Sequence, residues 1–429
     1  MALLAALLIL TIPAFSETRL SLNDAVRLAQ EASFAVKAAR HDSTAAALQS
    51  AAAGAERFPV LALKAQSYYV DKVQKVNFPF GSQEIGSADN YQADLTLTVP
   101  LYAGGRISNL VQVQKENSLA EGCRLESETM AAAYRSRRAY LAAMMSEAMV
   151  GAAAASLQRI DIIRRDVENL FVNGLADSLD ILEAELALEK AHTQMDQVQT
   201  ERRNALASLA RLVGMPGDTD LVLTESAQPP ETTLYLETGP LPEPDRPEMK
   251  RFDHVIAAAD RSTALELAGL LPTLNGFAGY SYGMPNRDWF GKTWNDYVSA
   301  GMVLHWELNL GGKNSRKVGA ARQQAASARM AQKELYDALL LQRDLAINDL
   351  RHAFQVVRTS QRTWDLSRRQ FSLAQGRQQA GRISVNRLLE LEAELAAVEQ
   401  QYHVSIISYY LAENEFFYAI GSPRIFGGL

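Results

Sequence analysis

Strict alternation of apolar and polar residues marks two short stretches of the chain. Residues 91–101 place apolar or small side chains at odd positions and mostly polar ones at even positions, and residues 298–308 repeat the alternation with the parity reversed. A period of two predicts β-strands with one apolar and one polar face. A similar stretch precedes each, so we predict two hairpins. The predicted strands are residues 60–70, 91–102, 273–282 and 297–309.

These strands have the length of membrane-spanning strands, which need about 9–11 residues. Aromatic residues lie near the loop ends, as in the girdles of membrane β-barrels. Four strands cannot close such a barrel, and open sheet edges are not tolerated in lipid, so a membrane sheet requires several copies. The aromatic residues are Tyr68, Tyr69, Phe78, Phe80 and Tyr91 in one hairpin, and Tyr280, Tyr282, Trp289, Phe290, Trp294 and Tyr297 in the other.

Long proline-free stretches follow each hairpin. Proline is absent between Pro100 and Pro216 and between Pro285 and Pro423, which permits long helices because proline breaks helix interiors. The two longest predicted helices would each span roughly 100 Å at the α-helical rise. We predict helices at residues 20–57, 106–172, 178–213, 247–270, 313–380 and 385–420.

The two halves of the chain correspond at a constant offset of 207 residues, which indicates a tandem duplication. Matching anchors include Gly174 with Gly381. Half of the 14 prolines fall between Pro216 and Pro247, a composition typical of a linker. The predicted organisation is a repeat at residues 17–215, a linker at 216–246 and a second repeat at 247–429.

The first 16 residues predict a secretory signal peptide. Residues 3–13 are almost wholly apolar and are followed by Ala14-Phe15-Ser16, a small-x-small cleavage pattern. No run of about 18 apolar residues occurs later in the sequence, so we predict no transmembrane helix. The formal charge of -6 argues against nucleic-acid binding.

Composition and motifs favour a protein without catalytic chemistry. The single cysteine, Cys123, excludes a disulfide framework or a thiolate zinc site within the chain, and the six histidines lack metal-ligand spacing. Residues 279–283 match the GxSxG pattern, but Ser281 lies inside an alternating strand rather than in a strand-turn-helix. We therefore predict no enzymatic activity, no metal site and no cofactor.

Two helix-helix turns are predicted at the far ends of the long helices. Gly174 and Gly381 are suited to end the outgoing helices, because glycine adopts the left-handed conformation of a C-cap. Asp177 and Ser384 are suited to N-cap the returning helices.

Four segments resemble the TolC-like outer-membrane efflux protein family. The resemblance implies an α+β fold of mainly long α-helices, in which a homotrimer forms a 12-stranded outer-membrane β-barrel continued by a 12-helix periplasmic α-barrel. It also implies a passive duct that receives cargo from an inner-membrane pump through a periplasmic adaptor, in a tripartite efflux or type I secretion system. The segments are residues 20–26 (LSLNDAV), 99–106 (VPLYAGGR), 173–179 (NGLADSL) and 381–385 (GRISV).

The resemblance further assigns adaptor contacts and a pore gate. Family members that close on acidic rings place two carboxylates after the second turn, and the matching positions here are Arg387 and Glu390. Arg387 replaces one acid and would pair with Glu390, which weakens cation selectivity. The turn residues also fit a purely structural role as helix caps. The implied adaptor contacts are Val172, Asn173, Gly174, Leu175, Gly381, Arg382, Ile383 and Ser384.

One other interpretation stays open at this point. A periplasmic or secreted coiled-coil scaffold would explain the long helices but leaves the four alternating strands without a purpose. Within the channel interpretation, the sequence does not discriminate between small toxic compounds, metal ions and a polypeptide as cargo.

Overall fold

The computed structural model describes residues 18–231, 241–288, 290 and 292–427. The predicted signal peptide and part of the predicted linker lie outside these residues. The chain divides into two compact units, and each unit takes segments from both halves of the sequence. One comprises Met1–Ala39, Leu125–Pro247 and Leu335–Leu429; the other comprises Arg40–Arg124 and Glu248–Glu334.

Two helices of 67 residues each dominate the chain. Both begin just after a glycine pair and end just before a turn glycine, within one residue of the predicted bounds. The described α-helices are α1 (Leu22–Ala32), α2 (Phe34–Ala55), α3 (Arg106–Val172), α4 (Ser178–Leu212), α5 (Pro247–Ala268), α6 (Lys313–Gln379) and α7 (Val385–Ile420), and a 3-10 helix follows at Pro423–Phe426.

The first predicted helix, residues 20–57, is wrong in two respects. Leu20 belongs to a short strand β1 (Thr18–Leu20), and α1 begins only at Leu22. The helix is then interrupted at Ser33, whose ψ of 119 is extended. The Ser33 hydroxyl accepts a hydrogen bond from the Val36 amide at 3.4 Å, so the side chain satisfies a backbone donor of the new helix α2.

Four long strands form one antiparallel sheet in the order β2-β5-β7-β8, and so both predicted hairpins join. The last strand ends at His305 rather than at the predicted residue 309. His305 pairs with Thr273, the first residue of β7, so the chain beyond it has no neighbour in the sheet. The strands are β2 (Val60–Tyr69), β5 (Asp89–Tyr102), β7 (Thr273–Met284) and β8 (Asn295–His305).

Two smaller strand pairs are absent from the sequence prediction. Strands β3 (Gln74–Phe78) and β4 (Gly81–Ile85) form a hairpin in the connection between β2 and β5. Gly81, with φ of 136, supports its tight turn. Strand β6 (Leu221–Leu223) pairs in parallel with β1.

The helical unit has a continuous apolar core. Leu22, Tyr140, Leu209 and Leu221 are each fully buried and join α1, α3, α4 and β6. Contrary to the sequence expectation, α3 contains one 18-residue window whose mean hydropathy of 1.3 would suit a membrane span by length and composition. Within the described residues, 39% of that window is buried in the protein.

Candidate functional site: the two helix turns

The α3–α4 and α6–α7 turns share one backbone conformation. Gly174 and Gly381 have φ of 71 and 68, in the left-handed region that favours glycine. After each glycine, the next amide donates to a carbonyl five residues back: Leu175 to Leu170 and Arg382 to Arg377, both at 2.8 Å. This pairing is the Schellman motif, which satisfies carbonyls at a helix end.

Both returning helices carry the predicted N-caps. The Asp177 carboxylate accepts hydrogen bonds from the Leu179 and Asp180 amides at 2.8 and 3.0 Å. The Asp180 carboxylate in turn accepts from the Asp177 amide at 3.2 Å, which completes a capping box. The Ser384 hydroxyl accepts from the Arg387 amide at 3.3 Å. Local hydrogen bonds thus hold both turns, and the apolar and basic side chains at the outside of each turn take no part in the capping.

Those outer side chains differ between the turns. Val172 and Leu175 at the first turn are 79% and 75% exposed. At the second turn Arg382 is exposed, whereas Ile383 packs against a buried cluster contributed by α3, α4, α6 and α7. Exposed apolar groups at a loop tip are typical of a surface that another molecule covers.

Arg387 and Glu390 form an ion pair one turn into α7. The Arg387 Nη1 atom lies 2.8 Å from the Glu390 Oε2 atom, and both side chains are about half exposed. The spacing of three residues places them on one face of the helix. The structure therefore joins the two residues assigned to the gate, and the arginine offsets the charge of the glutamate.

Glu392, which the sequence analysis did not single out, is buried close to this pair. It is 2% exposed and accepts hydrogen bonds from the Ser156 hydroxyl at 2.8 Å and from the Arg159 Nε atom at 3.2 Å. Arg159 also lies 3.0 Å from Glu399. Burial raises the pKa of the Glu392 carboxyl above its ordinary value, while its two donors oppose that shift.

A sequence signal for Glu392 exists in the helical periodicity. It follows Leu388 by four residues and precedes Leu395 by three, and both leucines are buried. A carboxylate on the buried face of an amphipathic helix requires a partner. It borders a cavity of 620 Å³ between α3, α4 and α7, and seven of the 19 residues that line this cavity are alanine.

Within the described ranges, no group of three or more His, Cys, Asp or Glu side chains has the arrangement of a metal site. Ser281 lies inside β7 and donates a hydrogen bond to Asp94 at 2.6 Å. This strand position differs from the strand-turn-helix of a hydrolase nucleophile.

The two faces of the sheet differ in polarity, as predicted from the alternation. One row across the four strands is Leu63, Leu95, Tyr280 and Val298, and the next row, on the opposite face, is Lys64, Asp94, Ser281 and Tyr297.

Aromatic rings stack at the loop end of the apolar face. Tyr91 and Tyr282 lie 5.8 and 5.1 Å from Trp294, measured between ring centroids. An aromatic cluster at the rim of an apolar band is typical of a membrane interface.

A family model described as outer membrane efflux protein matches residues 25–215 and 244–421. The chain belongs to this family. Solved structures of its fold include the VceC outer membrane protein of Vibrio cholerae, at 18% identity and a TM-score of 0.76, covering 94% of this chain and 96% of that one. The open state of the Neisseria gonorrhoeae MtrE outer membrane channel matches at 16% identity and a TM-score of 0.70, covering 94% and 89%. No curated protein sequence matches the chain.

Membership in the outer membrane efflux protein family confirms the predicted fold class, which is a trimeric outer-membrane barrel continued by a helical periplasmic tunnel and built from a tandem repeat. The protein is an outer-membrane efflux duct that extends into the periplasm. The scaffold alternative is therefore not supported.

Proposed function

We propose that three copies of this efflux protein form the passive exit duct of a tripartite efflux or type I secretion system. Cargo enters from an inner-membrane pump through a periplasmic adaptor protein. The observation that carries the proposal is the two-faced sheet, in which β2 and β8 are edge strands within the chain. Such edges are not tolerated in lipid, so neighbouring copies must pair with them.

The two edges favour a closed ring. Because β2 and β8 are different strands, β8 of one copy pairs with β2 of the next in a heterologous contact, which closes when the rotation suits. Three copies of four strands make a 12-stranded barrel. Its apolar face, with Leu63 74% exposed and Val298 76% exposed in the single chain, then meets lipid, and the row of Lys64 and Asp94 lines the lumen.

Exposed leucines on the helices support the same assembly. Leu179, Leu182 and Leu186 on α4 are 60%, 60% and 56% exposed at helical spacing. Leu341, Leu345, Leu366 and Leu373 on α6 are also more than half exposed. Apolar surface of this extent is typical of an interface, and packing against neighbouring copies in the tunnel wall would cover it.

The two turns are the proposed docking site for the adaptor. Val172 and Leu175 supply exposed apolar anchors on a turn that is rigid through its caps, and buried apolar anchors dominate most protein interfaces. Arg387 and Glu390 are the proposed gate, where three paired charges would surround the lumen. The proposed contacts are Val172, Asn173, Gly174, Leu175, Gly381, Arg382, Ile383 and Ser384.

The test is the compartment and mass of the native particle. Membrane fractionation followed by light scattering on detergent-extracted protein should give three chains from the outer membrane. Leu63→Asp, on the lipid-facing row, should abolish insertion, whereas Lys64→Asp on the opposite face should not, because charge is costly only against lipid. A monomer or dimer that needs no detergent would contradict the proposal.

A further inference from the structure

The base of the small β3–β4 hairpin lies at the loop end of the large sheet, beside residues of its polar face. Together with the sheet and the loop after β7 it borders a half-open cavity of 470 Å³. From the hairpin side Val73, Gln74 and Ile85 line this cavity, and from the sheet Tyr68, Gln92 and Tyr297 do so. The register places these last three side chains on the polar face of the sheet, the face of Lys64 and Asp94.

We propose that this hairpin is a lid that narrows the outer mouth of the duct and swings aside for outgoing cargo. The proposal rests on the proposed function, because the polar face is a lumen wall only in a closed barrel. The hairpin lies at the end of the sheet opposite the long helices. Since those helices extend into the periplasm, the hairpin end faces the outside of the cell.

The base of the lid is fixed to the sheet. The Val70 amide donates to the Ala88 carbonyl at 2.8 Å, and the Asn90 side chain donates to the Ser87 carbonyl at 2.9 Å. Next to this base Gly86 has φ of 103, a conformation that favours glycine. The hairpin therefore has a defined root and a glycine beside it at which its angle can change.

Near its base the lid is tied to the neighbouring loop through an exposed carboxylate. The Glu84 carboxylate pairs with Lys292, on the loop between β7 and β8, at 3.4 Å, and with Lys75 inside the hairpin at 3.3 Å. All three side chains are more than two-fifths exposed. Exposed pairs of this kind stabilise weakly, so the tie to Lys292 holds the lid closed yet breaks readily.

The lid keeps its shape when it moves. Its five-residue strands pair in register along their whole length. Phe78 and Phe80 stack at the turn with ring centroids 5.4 Å apart, and Phe80 is 85% exposed. A hairpin that is internally bonded and only weakly tied to its surroundings moves as one body, and its bulk decides what passes.

Thiol labelling from outside intact cells tests the lid. In a Cys123→Ser background, Thr96→Cys places one thiol on the polar face below the lid, and Leu97→Cys places one on the apolar face. Each is treated with a small membrane-impermeant thiol reagent and with the same reagent coupled to a long polyethylene glycol. The lid is altered by replacing residues 74–85 with two glycines or by Lys292→Gln.

With the lid removed, the large reagent should react with the Thr96→Cys thiol at least about tenfold faster, because the mouth is wider. Lys292→Gln should give a smaller increase, and Lys75→Gln, which leaves the tie to the other loop intact, should give none. The small reagent should react at one rate in all variants. Equal rates with the large reagent in all variants would overturn the lid.

The same labelling experiment distinguishes failure of the proposed barrel from failure of the proposed lid. If the barrel fails, the Leu97→Cys thiol would react as fast as the Thr96→Cys thiol, since neither would be covered by lipid. If shortening the loop prevents assembly, the Lys292→Gln and Lys75→Gln pair still decides, because both changes are at exposed side chains.

Discussion

The two helix turns of this efflux protein share one backbone conformation but expose different side chains. Gly174 and Gly381 differ by three degrees in φ, from 71 to 68, and both turns carry the same hydrogen-bond pattern. At the equivalent next position the first turn has exposed Leu175 and the second has exposed Arg382. After the duplication the residues that fix the backbone were kept, whereas those pointing outward changed. We infer that the turns contact different surfaces of a partner.

The difference continues into the returning helices. Helix α7 buries residues along its whole length, whereas α4 buries few. Glu185 on α4 is exposed, and its equivalent on α7, Glu392, is buried. The same carboxylate thus became a solvated surface group in one repeat and an internal hydrogen-bond acceptor in the other.

The largest expected effect is a loss of export when the first turn is changed. Leu175→Asp should lower the export rate at least about tenfold, because an apolar interface anchor is replaced by a charge. Arg382→Asp should have a smaller effect. The measurement is cargo efflux from cells that hold the pump and adaptor, with copurification of the adaptor as a second reading. Both variants should keep the wild-type Tm, and a stronger loss from Arg382→Asp would reverse the assignment of the turns.

The next largest expected effect is on stability, and it differs between Glu392 and its equivalent Glu185. Glu392→Ala should destabilise the protein by about 2 kcal/mol, because it leaves the Ser156 hydroxyl and Arg159 Nε without their acceptor, although Arg159 keeps Glu399. Glu185→Ala, at an exposed site, should change stability by less than about 0.5 kcal/mol. The measurement is the midpoint of denaturant unfolding of the detergent-extracted protein. Equal midpoints would mean that the buried cluster contributes nothing.

The pH dependence of Glu392 has a definite sign. Burial raises the pKa of its carboxyl, so the native state binds this proton more tightly than the unfolded chain does. The resulting stability is present at pH below the ordinary value of 4.5 and is lost as pH rises through the raised pKa. Glu392→Gln cannot ionise, so its Tm relative to wild type should rise with pH. A difference that falls with pH would show that Arg159 outweighs burial.

Sequence patterns predicted the backbone better than the packing. Proline-free stretches, turn glycines and cap residues determine the ends of α3, α4, α6 and α7 locally, so those ends were predictable. The break at Ser33 was missed because serine also occurs inside helices. Its hydroxyl replaces a backbone acceptor for a nearby amide only where the local backbone is extended, and the sequence does not show that conformation. The β3–β4 hairpin was missed because its strands have five residues each.

At the candidate site, too, the local features were predictable from the sequence and the contacts between helices were not. The caps and the Arg387–Glu390 pair depend on residues three apart, which the sequence displays directly. The burial of Ile383 and the partner of Glu392 depend on contacts with other helices. Arg159 and Glu392 are far apart in the chain, and nothing in the local pattern joins them.

The turn glycines should respond alike, which tests the shared backbone. Gly174→Ala and Gly381→Ala should each cost about 1 kcal/mol, because a left-handed φ is unfavourable for alanine. No other atom lies within 4 Å of the added Cβ at either site, so the cost is conformational. Gly376→Ala, inside α6 with equally open space, should instead stabilise by roughly 0.5 kcal/mol. Unequal costs at the two turns would break the equivalence.

Substitutions in the Arg387–Glu390 pair should have the smallest effect on stability. They should have a clear effect on the ion selectivity of conduction. The side chains of the pair are 54% and 53% exposed, so Arg387→Ala should change unfolding by no more than about 0.5 kcal/mol. Arg387→Asp restores two carboxylates one turn apart, and three copies would then surround the lumen with a doubled acidic ring that favours cations. The reversal potential in a planar bilayer under a salt gradient should therefore shift toward the cation potential, and Glu390→Gln should shift it the other way. Asp180, the α4 equivalent of Arg387, belongs to a capping box, so Asp180→Asn should lower helix stability without moving the reversal potential. If the α4 change moved that potential and the α7 changes did not, the gate would lie on the first repeat.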